Sequence, residues 1–128
     1  MIIVGLVFAA LAALLHVYIF WLESIAWTSD RARRTFGTTP QEAQATRSLA
    51  FNQGFYNLFL AIAAALGIVF FAAGATAIGA TLVFVGTGSM VAAALVLLLS
   101  DRSKTRAALT QMAFAVIAVV ALAVGIAL

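Results

Sequence analysis

The chain has 128 residues, of which 66% are hydrophobic and only 9% are charged, and it contains no cysteine. A soluble domain carries about 25% charged residues, so this chain lacks the polar surface that a soluble monomer needs. Without cysteine it has neither disulfides nor thiolate chemistry. The net charge of +3 comes with no basic stripe interleaved with aromatic residues, which argues against a nucleic-acid-binding protein.

Four apolar stretches are long enough to cross a bilayer. A membrane-spanning helix needs about 20 apolar residues, and in lipid the backbone must satisfy its own hydrogen bonds. The first stretch is free of charge as far as Glu23. Its length and its lack of a basic leader favour a retained helix over a cleaved signal peptide. The sequence therefore predicts an all-α membrane protein, an up-down bundle forming a single domain over 1–128, with spans at about 1–27, 49–73, 76–99 and 107–128.

The basic residues predict the orientation of the bundle. All seven lie in the first and third connections, residues 28–48 and 100–106, which four spans place on one side of the membrane. Cytoplasmic loops carry the excess of Lys and Arg. We therefore predict a multi-pass protein of the plasma (inner) membrane with both termini outside. The cluster Arg31, Arg33 and Arg34 is interpreted as a basic surface that touches anionic lipid head groups.

A capping box marks the start of the second helix. Thr39 is followed by Pro40 and, three residues after the threonine, by Glu42. Threonine at the N-cap, proline at the first helical position and Glu at the third are typical of a helix N-terminus. From there an amphipathic turn or two is predicted to lead into the apolar run.

Polar residues inside the first two spans each follow one face of a helix. In the first span the spacing is i, i+4, i+7, i+11, and in the second it is i, i+1, i+4, i+5. Polar side chains within a membrane are costly and tend to face the bundle interior. The predicted site consists of residues from these two faces: His16, Phe20, Glu23, Trp27, Asn52, Gln53, Tyr56 and Asn57.

Helical rise predicts which of these residues lie at the same depth. If Trp27 and Ser48 mark the inner boundary, residues level in this antiparallel pair have numbers that sum to about 75. Glu23 is then level with Asn52 and is expected to accept a hydrogen bond from Asn52 or Gln53, or to carry a proton.

The same count puts His16 one layer deeper, beside Tyr56 or Asn57. Ser89 of the third span and Gln111 of the fourth lie at comparable depth. The polar groups are therefore predicted to converge in the inner-leaflet half of the bundle.

Two function classes fit this cluster better than a purely structural role as hydrogen bonds between helices. The first is a protein that binds or transports a small, partly apolar or cationic molecule. The second is a small membrane enzyme that uses His16 and Glu23 as acid and base. We expect no metal and no cofactor, because these two residues lie about 10 Å apart along one helix and no cysteine is present. The expected partners are the lipid bilayer and the unidentified small molecule, and a homo-oligomer remains open.

Two segments carry a family resemblance. The stretch from His16 to Trp27 (HVYIFWLESIAW) and that from Asn52 to Ala61 (NQGFYNLFLA) resemble the bacterial membrane family named domain of unknown function 1304. The resemblance extends over the whole chain in length and span count. It implies a four-helix membrane protein and supports grouping these polar residues, but it implies no activity.

A second resemblance concerns membrane enzymes of eicosanoid and glutathione metabolism. The chain is similar to them in size, topology and polar second helix. Those enzymes carry an Arg-rich motif with Asn and then Glu on that helix. Arg47 and Asn52 match the pattern, whereas Phe55 stands where the Glu is expected, so the glutathione-binding set is incomplete.

We expect single cysteines introduced at Arg33 and Lys104 to react with a thiol reagent only from the cytoplasmic side. Because the natural chain has no cysteine, the label reports on the introduced position alone. Reaction of either position from outside intact cells would contradict the predicted orientation.

Overall fold

The computed structural model describes residues 1–128 and is all-helical. Four of its helices are long and apolar enough to cross a membrane, which confirms the predicted fold class. In chain order the elements are α1 (Ile2–Phe20), a π-helical segment (Trp21–Ile25), α2 (Asp30–Phe36), α3 (Pro40–Ala45), α4 (Arg47–Ala72), α5 (Thr76–Ser100), a 3₁₀ turn (Arg102–Lys104) and α6 (Thr105–Ala127).

The four long helices form a ring of antiparallel neighbours. Helix α1 packs against α4 and α6, and α5 completes the ring between them. At one end the Lys104 ammonium donates a hydrogen bond to the Phe36 carbonyl and so joins the first and third connections. We call this end, formed by residues 28–46 and 101–104, the basic end. At the other end the two termini meet, since a Cβ on Gly125 would lie 2.6 Å from the Ile2 nitrogen.

Small residues bring the helices close together. Helix association in lipid depends on close packing and not on expulsion of water, which favours Gly and Ala at the contacts. A Cβ on Gly67 would lie 2.6 Å from the Val83 nitrogen, and one on Gly86 would lie 2.9 Å from the Ala64 nitrogen. The largest buried apolar cluster is correspondingly alanine-rich: Ala12, Ala13, Ala61, Ala64, Met90 and Ala115.

The first connection folds into two short helices over the basic end. Helix α2 begins at the Ser29 cap, whose hydroxyl accepts from the Ala32 amide, and it ends at Gly37, whose φ of 67° suits glycine. Helix α3 begins with the predicted capping box. The Glu42 amide donates to the Thr39 hydroxyl at 3.2 Å, and the Thr39 amide donates to the Glu42 carboxylate at 2.8 Å.

The second predicted helix is broken where the sequence analysis expected it to continue. Helix α3 ends at Ala45 and α4 begins at Arg47, with Thr46 between them at φ −102° and ψ 6°. The Thr46 hydroxyl donates to the Glu42 carbonyl at 2.7 Å and accepts from the Trp27 indole at 3.2 Å. A hydroxyl bonded back to the preceding turn bends a helix, which accounts for the break.

We expect Thr39→Ala to speed amide hydrogen exchange over residues 41–45 about fivefold, because an N-cap contributes about 1 kcal/mol. Thr35→Ala is the matched control, since its hydroxyl bonds the Arg31 carbonyl and caps no helix. Hydrogen bonding of the Glu42 carboxyl to the Thr39 backbone amide, and then to the Thr39 side chain, lowers its pKa from the ordinary 4.5. Protection by the capping box should therefore be complete above that value and fall as the pH drops through the lowered pKa. Equal exchange in the Thr39 variant and the wild type would contradict the cap.

Candidate functional site

A cavity of about 280 Å³ lies inside the bundle next to the basic end. All four long helices and both basic connections contribute to its wall. We call it the Glu23 pocket. Its polar and aromatic lining residues are His16, Glu23, Trp27, Phe36, Thr38, Gln53, Asn57, Lys104 and Gln111, and its other lining residues are Met90, Ala93, Leu97 and Ala107.

Glu23 is the buried acid of this pocket, with 8% of its surface exposed. The side-chain amide of Asn57 donates a hydrogen bond to Glu23 Oε2 at 2.6 Å. The same amide also donates to the Gln53 backbone carbonyl at 3.3 Å, which fixes its orientation. Glu23 receives this single hydrogen bond from the protein, so its second carboxylate oxygen is left for a partner in the cavity.

The π-helical segment presents Glu23 to the pocket. The Ala26 amide bonds the Trp21 carbonyl five residues back, so this turn holds one residue more than an α-helical turn. Leu22 and Glu23 of this turn are both buried. Segments of this kind are frequent at functional sites.

Gly54 of α4 allows the π-helical segment to lie against that helix. A Cβ at Gly54 would lie 3.0 Å from the Ser24 nitrogen and 3.1 Å from the Glu23 Cβ. The Ser24 hydroxyl donates to the Phe51 carbonyl at 2.8 Å and closes the same contact. A larger residue at Gly54 would push Glu23 away from Asn57.

His16 lines the membrane-embedded part of the pocket, with 2% of its surface exposed. Its Nδ1 lies 2.9 Å from the Ala12 carbonyl oxygen. Because a carbonyl only accepts, Nδ1 carries a proton, and Nε2 is the ring nitrogen available to the cavity. In the neutral ring Nε2 is a hydrogen-bond acceptor.

The side of the pocket next to the basic end, here called its mouth, is lined by Trp27 and by aromatic and hydroxyl groups of the first connection. The rings of Trp27 and Phe36 pack with centroids 5.2 Å apart at 46°. The Trp27 indole is fixed by its bond to Thr46, and the Phe36 carbonyl accepts from Lys104. The Thr38 hydroxyl oxygen is buried without a hydrogen-bond partner. The mouth is therefore held by several contacts but carries one unsatisfied polar atom.

The structure brings five of the eight predicted residues into the pocket, namely His16, Glu23, Trp27, Gln53 and Asn57. The other three lie elsewhere. Phe20 packs edge-on against Phe55 with centroids 5.1 Å apart, Tyr56 is 66% exposed, and Asn52 is exposed in a surface groove beside Arg47 and Ser48.

The expected contact between Glu23 and Asn52 is wrong, because the partner is Asn57. The depth estimate itself holds, since Ser24 contacts Phe51 and their numbers sum to 75. Side chains lean toward the N-terminus of their own helix. In this antiparallel pair Glu23 therefore leans away from the basic end, and Asn57, which starts deeper, leans toward it. They meet, while Asn52 projects from the outer face of α4.

Several pocket residues were missed by the sequence analysis. Helical rise predicts the depth of Gln111 but not its place in the pocket wall, and the sequence marks Lys104 only as a charge in a loop. Phe36 and Thr38 belong to a connection whose fold over the bundle has no sequence signal except the Ser29 and Thr39 caps. Ser89 was expected at the same depth, but it does not line the pocket.

Comparisons with known proteins add the following findings. The family model described as protein of unknown function (DUF1304) matches residues 10–123. The match includes every polar residue that lines the Glu23 pocket and both segments on which the resemblance rests. No curated protein and no solved structure matches the chain.

We expect Glu23 and Asn57 to be energetically coupled. In Asn57→Leu the buried carboxylate loses its one donor, so the single change should destabilise the protein more than the double change with Glu23→Leu. The coupling should be about 1 kcal/mol or more, as is typical for residues in contact. The measurement is thermal unfolding in detergent, read as a double-mutant cycle. Asn52→Leu is the matched control and should be additive with Glu23→Leu; additivity of the Asn57 change would show that the two side chains are not coupled.

Proposed function

We propose that this chain, which belongs to the family described as protein of unknown function (DUF1304), binds a small, partly apolar cation in the Glu23 pocket. The observation that carries the proposal is a buried carboxylate with one amide partner that opens onto a cavity. An ionisable residue within a membrane span points by default to a functional site, because placing a carboxylate in the membrane costs free energy.

The free hydrogen-bonding atoms of Glu23, His16 and Asn57 favour a ligand that donates, while the Lys104 ammonium that also lines the pocket donates to the Phe36 carbonyl. Asn57 uses its amide nitrogen on Glu23 and Gln53, which leaves its oxygen as an acceptor. His16 uses Nδ1 on Ala12, which leaves Nε2. These two atoms and the second oxygen of Glu23 are all acceptors when the imidazole is neutral. An ammonium or guanidinium group supplies donors and a positive charge at once.

The walls set the size and the apolar character of the ligand. A cavity of about 280 Å³ lies just below the range of about 300–1,000 Å³ common for ligand pockets, so the ligand is small. Trp27 and Phe36 at the mouth offer ring faces to a cation or to an alkyl chain. Met90 and Leu97 line the cavity with apolar surface.

The placement in the membrane follows from the charges. We place the single four-helix domain in the plasma membrane, with the basic end in the cytoplasm and both termini outside. The mouth of the Glu23 pocket then lies on the cytoplasmic side, and the ligand enters from the cytoplasm or from the inner leaflet. Transport requires a second opening toward the outside, whereas binding alone does not require one.

Trp27 provides a direct binding assay. In a Trp21→Phe background it is the only tryptophan, and its fluorescence should change when butylammonium enters the pocket. We expect butylammonium to bind at least tenfold more tightly than butanol or butanoate, and Glu23→Gln to remove that preference. Loss of one partner of a buried charge pair costs about 2 kcal/mol or more, which corresponds to more than tenfold.

Glu42→Gln is the matched control, because it removes an exposed carboxylate outside the pocket. Butanoate binding as tightly as butylammonium, or an unchanged preference in Glu23→Gln, would contradict the proposal. Uptake of guanidinium, a permanent cation, into proteoliposomes then separates transport from binding alone.

The alternative function is a small membrane enzyme in which His16 and Glu23 act as acid and base. The observation that favours it is that both groups line one cavity and that the imidazole keeps a free nitrogen. Loss of substrate turnover in both His16→Gln and Glu23→Gln would favour the enzyme, provided that the His16 variant still binds butylammonium.

A further inference from the structure

A second cavity lies on the outer surface of the bundle at the basic end. It measures about 350 Å³ and is formed by α1, α2 and the start of α6. We call it the Arg34–Arg106 groove after the two arginines that line it. It is distinct from the Glu23 pocket, although Phe36, Ala107 and Gln111 line both cavities.

The two arginines of the groove have no acidic partner. The structure contains one ion pair, between Arg33 and Asp30, and neither Arg34 nor Arg106 takes part in it. Arg34 reaches the groove from the last turn of α2 and Arg106 from the first turn of α6. Two unpaired guanidinium groups on one cavity favour an anion with several oxygens, and arginine suits phosphate in particular.

The floor of the groove is apolar, which a site for a soluble anion does not require. Leu15, Ile19 and Leu22 of the first span form it. Tyr18 lines the groove and stacks on Trp21 with centroids 6.0 Å apart, and both residues are 40% exposed. Aromatic residues of this kind are enriched at the membrane–water interface. The groove thus has a cationic rim and a hydrocarbon floor at the boundary of the bilayer.

We propose that the Arg34–Arg106 groove binds one anionic phospholipid. Its phosphate lies between the two guanidinium groups, and the first part of one acyl chain lies along Leu15 and Ile19. The charges of the rim complement the head group, and the floor complements the chain. The proposal does not depend on the ligand of the Glu23 pocket, since neither arginine lines that pocket.

Native mass spectrometry of the full-length protein in detergent tests this site. We expect phosphatidylglycerol to stay bound to the wild type, and its affinity to fall about tenfold in Arg34→Gln and in Arg106→Gln, because each change removes a charge-assisted hydrogen bond to phosphate. Arg31→Gln is the matched control: it removes an exposed arginine of the same cluster that does not line the groove. Unchanged thermal unfolding in each variant shows that the fold is retained.

Three results would overturn the proposal. Equal losses in the Arg31 variant would mean diffuse attraction of head groups by the basic cluster. Displacement of the lipid by millimolar inorganic phosphate would mean a site for a soluble anion. Unchanged lipid binding in both groove variants would mean that the arginines do not contact the head group. A second measurement keeps the test sharp: a phosphatidylglycerol with a photoreactive group near the glycerol should cross-link to Leu15 or Ile19, and cross-linking elsewhere would contradict the groove.

Discussion

A carboxylate within a membrane-spanning segment must accept its hydrogen bond from the protein, because hydrocarbon supplies no donor. Glu23 finds that donor in Asn57, 2.6 Å away. The contact requires the backbone of the first span to approach α4 closely, which the missing side chain at Gly54 permits. Glu23 itself lies in the π-helical turn, where it is buried together with Leu22. The cavity beside this pair is where we place the ligand.

The number of long helices and their antiparallel order were predictable from the sequence. The direction in which each side chain points around its helix axis was only partly predictable. Apolar length and the positions of the basic residues predict four antiparallel helices, and the Thr39 motif predicts the start of α3. Depth was also predictable, because helical rise is constant. The partner of Glu23 was not, because side-chain lean and the π-helical turn decide which neighbour is met. No periodicity in the sequence reveals a turn with one extra residue. The placement of Thr38 and Lys104 in the pocket wall depends on how two connections fold over the bundle, which spans alone do not determine.

The two cavities share part of one wall. Phe36, Ala107 and Gln111 line both the Glu23 pocket and the Arg34–Arg106 groove. A lipid in the groove would therefore press on the residues that close the pocket. The Phe36 carbonyl also accepts from Lys104, so the same residue joins the two basic connections. If both proposed ligands bind, any effect of one on the affinity of the other is reciprocal by thermodynamic linkage.

The π-helical turn gives the deletion of a single residue an unusual effect at one place in the chain, between Trp21 and Ile25. An α-helix that loses a residue in mid-span rotates everything beyond the cut by about 100°. Here one residue between Trp21 and Ile25 is already surplus to an α-helix, so its removal would restore regular geometry locally and stabilise the helix as an isolated element. The cost would fall on the assembly, because the side chains within the turn, Glu23 among them, would change their orientation toward the cavity. A single-residue deletion in this turn would thus give a more regular helix and a dismantled pocket.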